Sequence, residues 1–217
     1  MKFLKLFVLL SVAIISINAN HENNKKTSSY DKPNNIKVAY FASGCFWCVE
    51  AIFESVKGVK EAISGYAGGN TLNPTYQKIG TGNTGHAETV AVYYDPKIVS
   101  FQMLVHVFFG SQDPTIVNGQ HPDYGTQYRS IAFYNNEVEK NIIESTIKEL
   151  NKTIYNGGIV TEVTKLQKFY PAEPYHQDFE KRNPNQPYVK SVSIPRLNRF
   201  KAKFPELLKE QYKKKTY

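Results

Sequence analysis

The chain has 217 residues and a formal net charge of +8, enough for one medium-sized domain with a single substantial core and free ends. The charge is uneven: residues 20–195 hold 17 basic and 17 acidic side chains, residues 196–217 hold 8 basic and 2 acidic ones. A neutral body with a basic end excludes an extended groove tracking nucleic-acid phosphates. The end reads as a solvated basic tail, with attraction to an acidic envelope as its alternative.

In chain order, Lys2 and Lys5 precede an apolar run from Leu6 to Ile17, followed by Asn18 and Ala19. This pattern predicts a signal peptide over residues 1–19, cut after Ala19, and export to the periplasm or the medium. The run is short for a bilayer span, so the mature chain is expected to have no stable membrane span; an uncleaved anchor is the alternative. Residues 20–35 are polar and aperiodic, a disordered linker. Ile36 to Ala42 reads as a strand, broken by Gly44. Phe46, Val49, Ile52, Phe53 and Val56 then recur at helical spacing up to Gly58.

Gly65 to His86, dense in Gly, Asn, Thr and Pro, reads as a long shaped loop with little regular structure, a length that points to function. Ala87 to Tyr94 alternates with period two, placing Glu88, Val90, Val92 and Tyr94 on the core face of a strand. Ser100 caps a helix over 101–109 that Gly110 closes, and a second long loop follows. Residues 129–135 predict a strand, 135–152 a capped helix with Ile142, Ile143, Ile147 and Leu150 on one side, and 157–166 another strand. Residues 169–184 read as an aromatic, polar loop entering a short helix, with a last helix around Pro205 to Tyr212. Strands and helices mix without steady alternation, so the expected fold is α+β, a two-layer α/β sandwich with a mixed sheet, in one domain over 36–195.

The only two cysteines, Cys45 and Cys48, flank Phe46 and the sole tryptophan, Trp47. Cys45 falls where a strand turns into a helix, so the helix N-terminus favours its thiolate over that of Cys48. Cys48 lies one turn on, as in two-cysteine redox motifs, including those of general thiol-disulfide oxidoreductases. A structural disulfide closing so short a loop removes little unfolded-state entropy. The five histidines lack the spacing of a zinc site, and haem attachment would place His where Val49 stands; two inert buried thiols complete the alternatives. A carboxyl at Glu88 on an apolar face is either paired or held neutral and able to donate a proton. Tyr66, Tyr76, Tyr124 and Tyr128 are core packing, surface contacts or hydroxyl donors in a pocket.

In order along the chain, GCFWCVE, GYAGGNTLNPTY, TGHAETVAVYYDP, QDPT, DYGTQYRS and PAEPYHQDF resemble the A-type peptide methionine sulfoxide reductases from about Val38 to Tyr188. The resemblance implies a two-layer α/β fold and reduction of methionine S-sulfoxide, free or in proteins. It makes Cys45 the attacking thiolate and Glu88 the proton donor to the sulfoxide oxygen. Phe46 and Trp47 wall a pocket for the substrate methyl, Tyr76 and Tyr128 hold the oxygen, and Asp123 is a polar neighbour. The chain is expected to be a monomer with no prosthetic group and no metal, and the resemblance implies regeneration by an external thioredoxin-like thiol reductant. Many members carry Gly at the position of Cys48 and resolving cysteines near the carboxyl end. This chain has none there, so the resemblance leaves Cys48 as the resolving thiol. Asn118 to His121 also departs from the family's usual block at the pocket rim.

Overall fold

The computed structural model describes residues 35–213. The expected signal and all of the expected linker except Asn35 lie outside the described residues. A six-stranded sheet runs in the order β7-β6-β1-β3-β2-β8. Its strands are β1 (Lys37–Ala42), β2 (Val59–Ala67), β3 (Ala87–Tyr94), β6 (Ile131–Tyr134), β7 (Glu162–Lys165) and β8 (Tyr170–Pro171). Every pairing is antiparallel except β6 with β7, which makes the sheet mixed. A two-stranded ribbon, β4 (Gly119–Gln120) with β5 (Asp123–Tyr124), stands apart from it.

Helices α1 (Phe46–Ser55) and α3 (Phe101–Gly110) cover one face of the sheet. Phe46, Val49, Ile52 and Phe53 of α1 and Leu104, Val105 and Phe108 of α3 pack on Phe41, Val90, Val92 and Tyr94. Burying large aromatic and branched side chains on this scale is the main term favouring the fold. Phe41 stacks on both Phe53 and Phe108, with ring centroids 5.1 Å apart in each case. The expected core face of β3 is therefore the observed one. The opposite face is buried too: Ala42, Ala67, Ala87, Ile131 and Phe133 form a smaller cluster, flanked by Tyr40, Leu166 and Phe169. The remaining α-helices among the described residues are α2 (Tyr76–Gly80), α4 (Glu137–Leu150), α5 (Phe179–Arg182), α6 (Ile194–Lys203) and α7 (Glu210–Lys213). Capping by Ser100 and Asn136 is present, their side chains accepting from the N–H groups of Met103 and Glu139.

Two expectations need correction. Residues 65–86 are not a loop throughout: they begin with the end of β2, and α2 lies within them. Gly65 hid the strand, and it is glycine because a Cβ there would come within 2.3 Å of the Phe169 ring and 2.4 Å of the Tyr170 carbonyl. The second correction concerns the basic end. Helix α6 is part of the core, with Leu197 and Phe200 buried against it. Its Arg196 donates to the carbonyls of Ser43 and Ser111, at 3.0 Å each, and to Ser43 Oγ. Lys201 and Lys203 share the helix with this apolar stripe, which is why its composition reads as solvated.

Phe200→Ala should therefore destabilise the protein by about 3–5 kcal/mol, the range for emptying a buried phenylalanine site. Urea unfolding checks it, and an unchanged midpoint would show that α6 is peripheral after all.

Candidate active site

The site grows from the turn between β1 and α1. Gly44 adopts φ +76, and a Cβ there would lie 2.7 Å from Gln120 Cβ, so only glycine lets the chain pass between β1 and the β4 ribbon. The Gly44 N–H donates to the Tyr128 carbonyl at 3.1 Å, which fastens the second long loop to this turn. Cys45 is the N-cap residue of α1, and its carbonyl accepts from Val49 N at 3.3 Å. The next N–H, that of Phe46, donates to Glu88 Oε2 at 2.9 Å. Glu88 sits in the central strand β3, paired with Tyr66 of β2. The cysteine and the carboxyl thus meet where the sheet touches the first turn of the helix.

Burial pushes the Glu88 carboxyl up to about 8, against the lowering effect of the Phe46 N–H, while Asp123 and Cys48 raise it further. At neutral pH it is a neutral acid. Burial also holds the Tyr76 and Tyr128 phenols well above their ordinary range, with Glu88, Cys45 and Asp123 among the charges acting on both. Both side chains are half-buried and remain hydrogen-bond donors. Asp123 is also half-buried and accepts a short hydrogen bond from the Tyr188 hydroxyl.

Cys45 and Cys48 are both free thiols and both buried. A hydrogen bond from Cys45 brings Cys48 down to about 6 in spite of burial, helped by the Arg196 charge and the hydroxyls of Ser193 and Tyr188. Burial, and then the bond to Cys48, push Cys45 well up. The two thiols act as one coupled pair, and the Arg196 charge with the Ser193 and Tyr188 hydroxyls favours the thiolate on Cys48. The physical reason is local: Glu88 occupies the Phe46 N–H, whereas Arg196, reaching in from α6, acts on Cys48. Because the thiols are hydrogen-bonded, one proton transfer moves the charge to Cys45.

Trp47 is half-buried, its indole N–H donating to His176 Nδ1 at 3.1 Å and its ring stacked 3.8 Å from that of Phe179. Phe46 has no exposed surface. It packs against Tyr76, Tyr66 and His176, whereas Trp47 keeps part of its surface exposed. Glu173 ties this wall together, accepting from the Tyr66 hydroxyl at 2.7 Å and the Tyr76 N–H at 3.0 Å. Tyr124 is exposed on the ribbon, away from these contacts. Tyr188, His176, Ser193 and Arg196 were not singled out from the sequence. Their types carry no local signal, and only tertiary packing brings them to the cysteines and Trp47.

Among the described residues, Glu50, Glu54 and Asp178 form a carboxylate group whose oxygens lie within 4.8 Å of one another. The Glu50 oxygens are already engaged by the Ser64 hydroxyl and the Asp178 N–H. Burial lifts Glu50 to about 8 and Glu54 to about 7. Glu50, the buried member, therefore reads as a neutral acid that is already hydrogen-bonded. A cavity of about 710 Å³ lies beside it, sharing Trp47 with the site but none of Cys45, Tyr76, Glu88 or Tyr128.

A buried thiol pair, a neutral acid and phenol donors beside a half-buried tryptophan define a thiol-based redox enzyme. Residues 37–208 match the family described as peptide methionine sulfoxide reductase. Peptide methionine sulfoxide reductase MsrA of Polynucleobacter asymbioticus is 43% identical over 178 residues, 82% of this chain and 94% of that protein. The MsrA of Acinetobacter baumannii strain SDF is 45% identical over 176 residues, 81% of this chain and all of that protein. Among solved structures, reduced Mxr1 of Saccharomyces cerevisiae superposes with a TM-score of 0.67 at 31% identity, covering 71% of this chain and 89% of that one. Methionine sulfoxide reductase A of Corynebacterium diphtheriae gives 0.64 at 35%, covering 70% and 77%. The chain belongs to the A-type peptide methionine sulfoxide reductases, oxidoreductases that reduce methionine sulfoxide.

The pH dependence of stability follows from Glu88. A carboxyl that titrates at about 8 when folded and at about 4.3 when unfolded weakens folding as pH rises between these values, because the unfolded chain releases its proton first. The slope is at most about 1.4 kcal/mol per pH unit. Glu88→Gln removes this term, so its stability relative to wild type should rise from about pH 5 to about pH 8. Urea melts across that range test it; a constant difference would mean that Glu88 titrates as an ordinary carboxyl.

Proposed function

We propose that the enzyme reduces the S epimer of methionine sulfoxide, free and in proteins, through Cys45, Glu88 and Cys48. The observation that carries this reading is the Glu88 carboxyl, neutral and hydrogen-bonded to the N–H that follows Cys45. Sulfoxide sulfur is a poor electrophile until its oxygen is protonated or strongly hydrogen-bonded. Glu88 supplies the proton, and the Tyr76 and Tyr128 hydroxyls hold the oxygen, with Asp123 orienting Tyr188 at the edge. The Trp47 face receives the substrate methyl, and Phe46 stiffens that wall from behind.

In the first step the Cys45 thiolate attacks the sulfoxide sulfur while the shared proton rests on Cys48. The oxygen, protonated by Glu88, ends on Cys45 as sulfenic acid; methionine leaves, two electrons richer. In the second step Cys48 attacks the Cys45 sulfur, the S–O bond breaks, and water and a Cys45–Cys48 disulfide result. An external thioredoxin-like donor reduces this disulfide, so that no bound cofactor takes part. Mxr1 of S. cerevisiae has been solved in complex with Trx2, which is a property of that protein and supports a donor of this kind here. The leader read in residues 1–19 makes oxidised exported proteins the substrates and the periplasm or medium the location. Among the described residues no helix is long and apolar enough to cross a membrane.

Purified residues 20–217 should turn over the S epimer with dithiothreitol and leave the R epimer untouched; the reverse selectivity, or none, would reject the assignment. Cys45→Ser should abolish the reaction, whereas Cys48→Ser should complete one turnover and stop with sulfenic acid on Cys45. Undiminished multiple turnover of Cys48→Ser with a thioredoxin-type donor would remove the resolving role. Amino-terminal sequencing of the secreted protein should begin at Asn20, and retention of Met1 would contradict a cleaved leader.

A further inference from the structure

The reaction places opposite demands on Cys48. It must hold a proton while Cys45 attacks the substrate, then lose it to attack Cys45 in turn. Two side chains beyond the cysteines are built to receive that proton. Ser193, fully buried, places its hydroxyl against the Cys48 sulfur and donates a short hydrogen bond to Glu180 Oε2. Glu180, on α5, is itself nine-tenths buried. It lines the cavity of about 710 Å³, whose rim includes the exposed Lys181, Asn185 and Lys190. A hydroxyl has one proton, so Ser193 serves the carboxylate or the thiolate at any moment and can pass a proton between them.

We propose that Ser193 and Glu180 are a proton relay for Cys48, leading from the buried thiol to the water of that cavity. As Cys48 Sγ bonds to Cys45 Sγ, the Cys48 proton passes to Ser193 Oγ and the Ser193 proton to Glu180 Oε2. The hydroxide leaving Cys45 takes a proton from Glu88, which has been reprotonated from solvent after the first step. Cys48 sulfur is oxidised, Cys45 sulfur is reduced, and the products are the disulfide and water. When an external thiol reduces the disulfide, the relay runs backwards and protonates the departing Cys48. The proposal rests on Cys48 being the resolving thiol.

The charges facing the relay are few and named. Cys48 and Glu54 of α1 and Lys201 of α6 act on Glu180; Cys45, Arg196 and Tyr188 act on Cys48, and Asp178 acts on Glu54. Burial, with Cys48 and Glu54, holds Glu180 up to about 7, against the Ser193 hydrogen bond and Lys201. This suits a group that accepts and returns a proton near neutrality.

The test uses the full mature chain in single turnover, following methionine release and then loss of the Cys45 sulfenic acid by chemical trapping across pH. In wild type, mass mapping should first find the Cys45–Cys48 disulfide; its absence would sink the resolving role and the relay together. Given the disulfide, Glu180→Gln and Ser193→Ala should each still release one methionine per enzyme, which shows that they fold and lets the second step be read by itself. Disulfide formation should be slower by about a hundredfold, the low end of general-base catalysis. The wild-type rise in that rate through about pH 7 should be missing from both variants. Wild-type rates with an unshifted pH profile would overturn the relay and leave Cys48 as the resolving thiol.

Discussion

Almost every feature of the site follows from one hydrogen bond, the 2.9 Å contact between the Phe46 N–H and Glu88 Oε2. It joins the first turn of α1 to the central strand of the sheet, so the residue just before it, Cys45, is carried to the carboxyl by the fold itself. The bond alone would favour a charged Glu88, since an N–H donor stabilises a carboxylate. Burial under Phe46 and the aromatic wall works the other way and prevails, leaving the acid neutral at about 8. Proton donation at neutral pH is thus a property of where β3 lies rather than of the glutamate.

The same contact explains how charge is divided between the cysteines. A helix N-terminus would normally draw the thiolate to Cys45, but Glu88 has taken the first free N–H. The hydrogen bond from Cys45 lowers Cys48 most, and the Arg196 charge, reaching in from α6, adds to it. The basic end of the chain, which composition marks as solvent-facing, thus brings a positive charge to the active-site thiols. Its anchoring to the carbonyls of Ser43 and Ser111 fixes the guanidinium behind the turn that carries the nucleophile.

Much of this was legible in the residues. The strand at 37–42 and the helices at 46–55 and 101–110 announce themselves because each has apolar residues at its own period and a glycine or serine near its end, and the strand at 87–94 does so by its period-two alternation. Cys45 and Glu88 stood out for the same reason: reactive groups set in apolar surroundings. β2 was obscured because Ser64 and Gly65 interrupt its pattern, the glycine being demanded by Phe169 rather than by the strand. α6 was obscured because its arginines and lysines outweigh Leu197 and Phe200. Tyr188, Ser193 and Glu180 could not be found from spacing, since they reach Cys48 from a segment about 130 to 145 residues further along the chain.

The proposed chemistry requires a protonated Glu88 beside Cys45, and its most direct test is the titration of that carboxyl in the reduced enzyme by isotope-edited NMR. A midpoint near 8, lost in Glu88→Gln, is the result expected. A midpoint in the ordinary range of about 4 to 5 would mean that the site holds a carboxylate at neutral pH, and that Glu88 has no proton to give the sulfoxide oxygen.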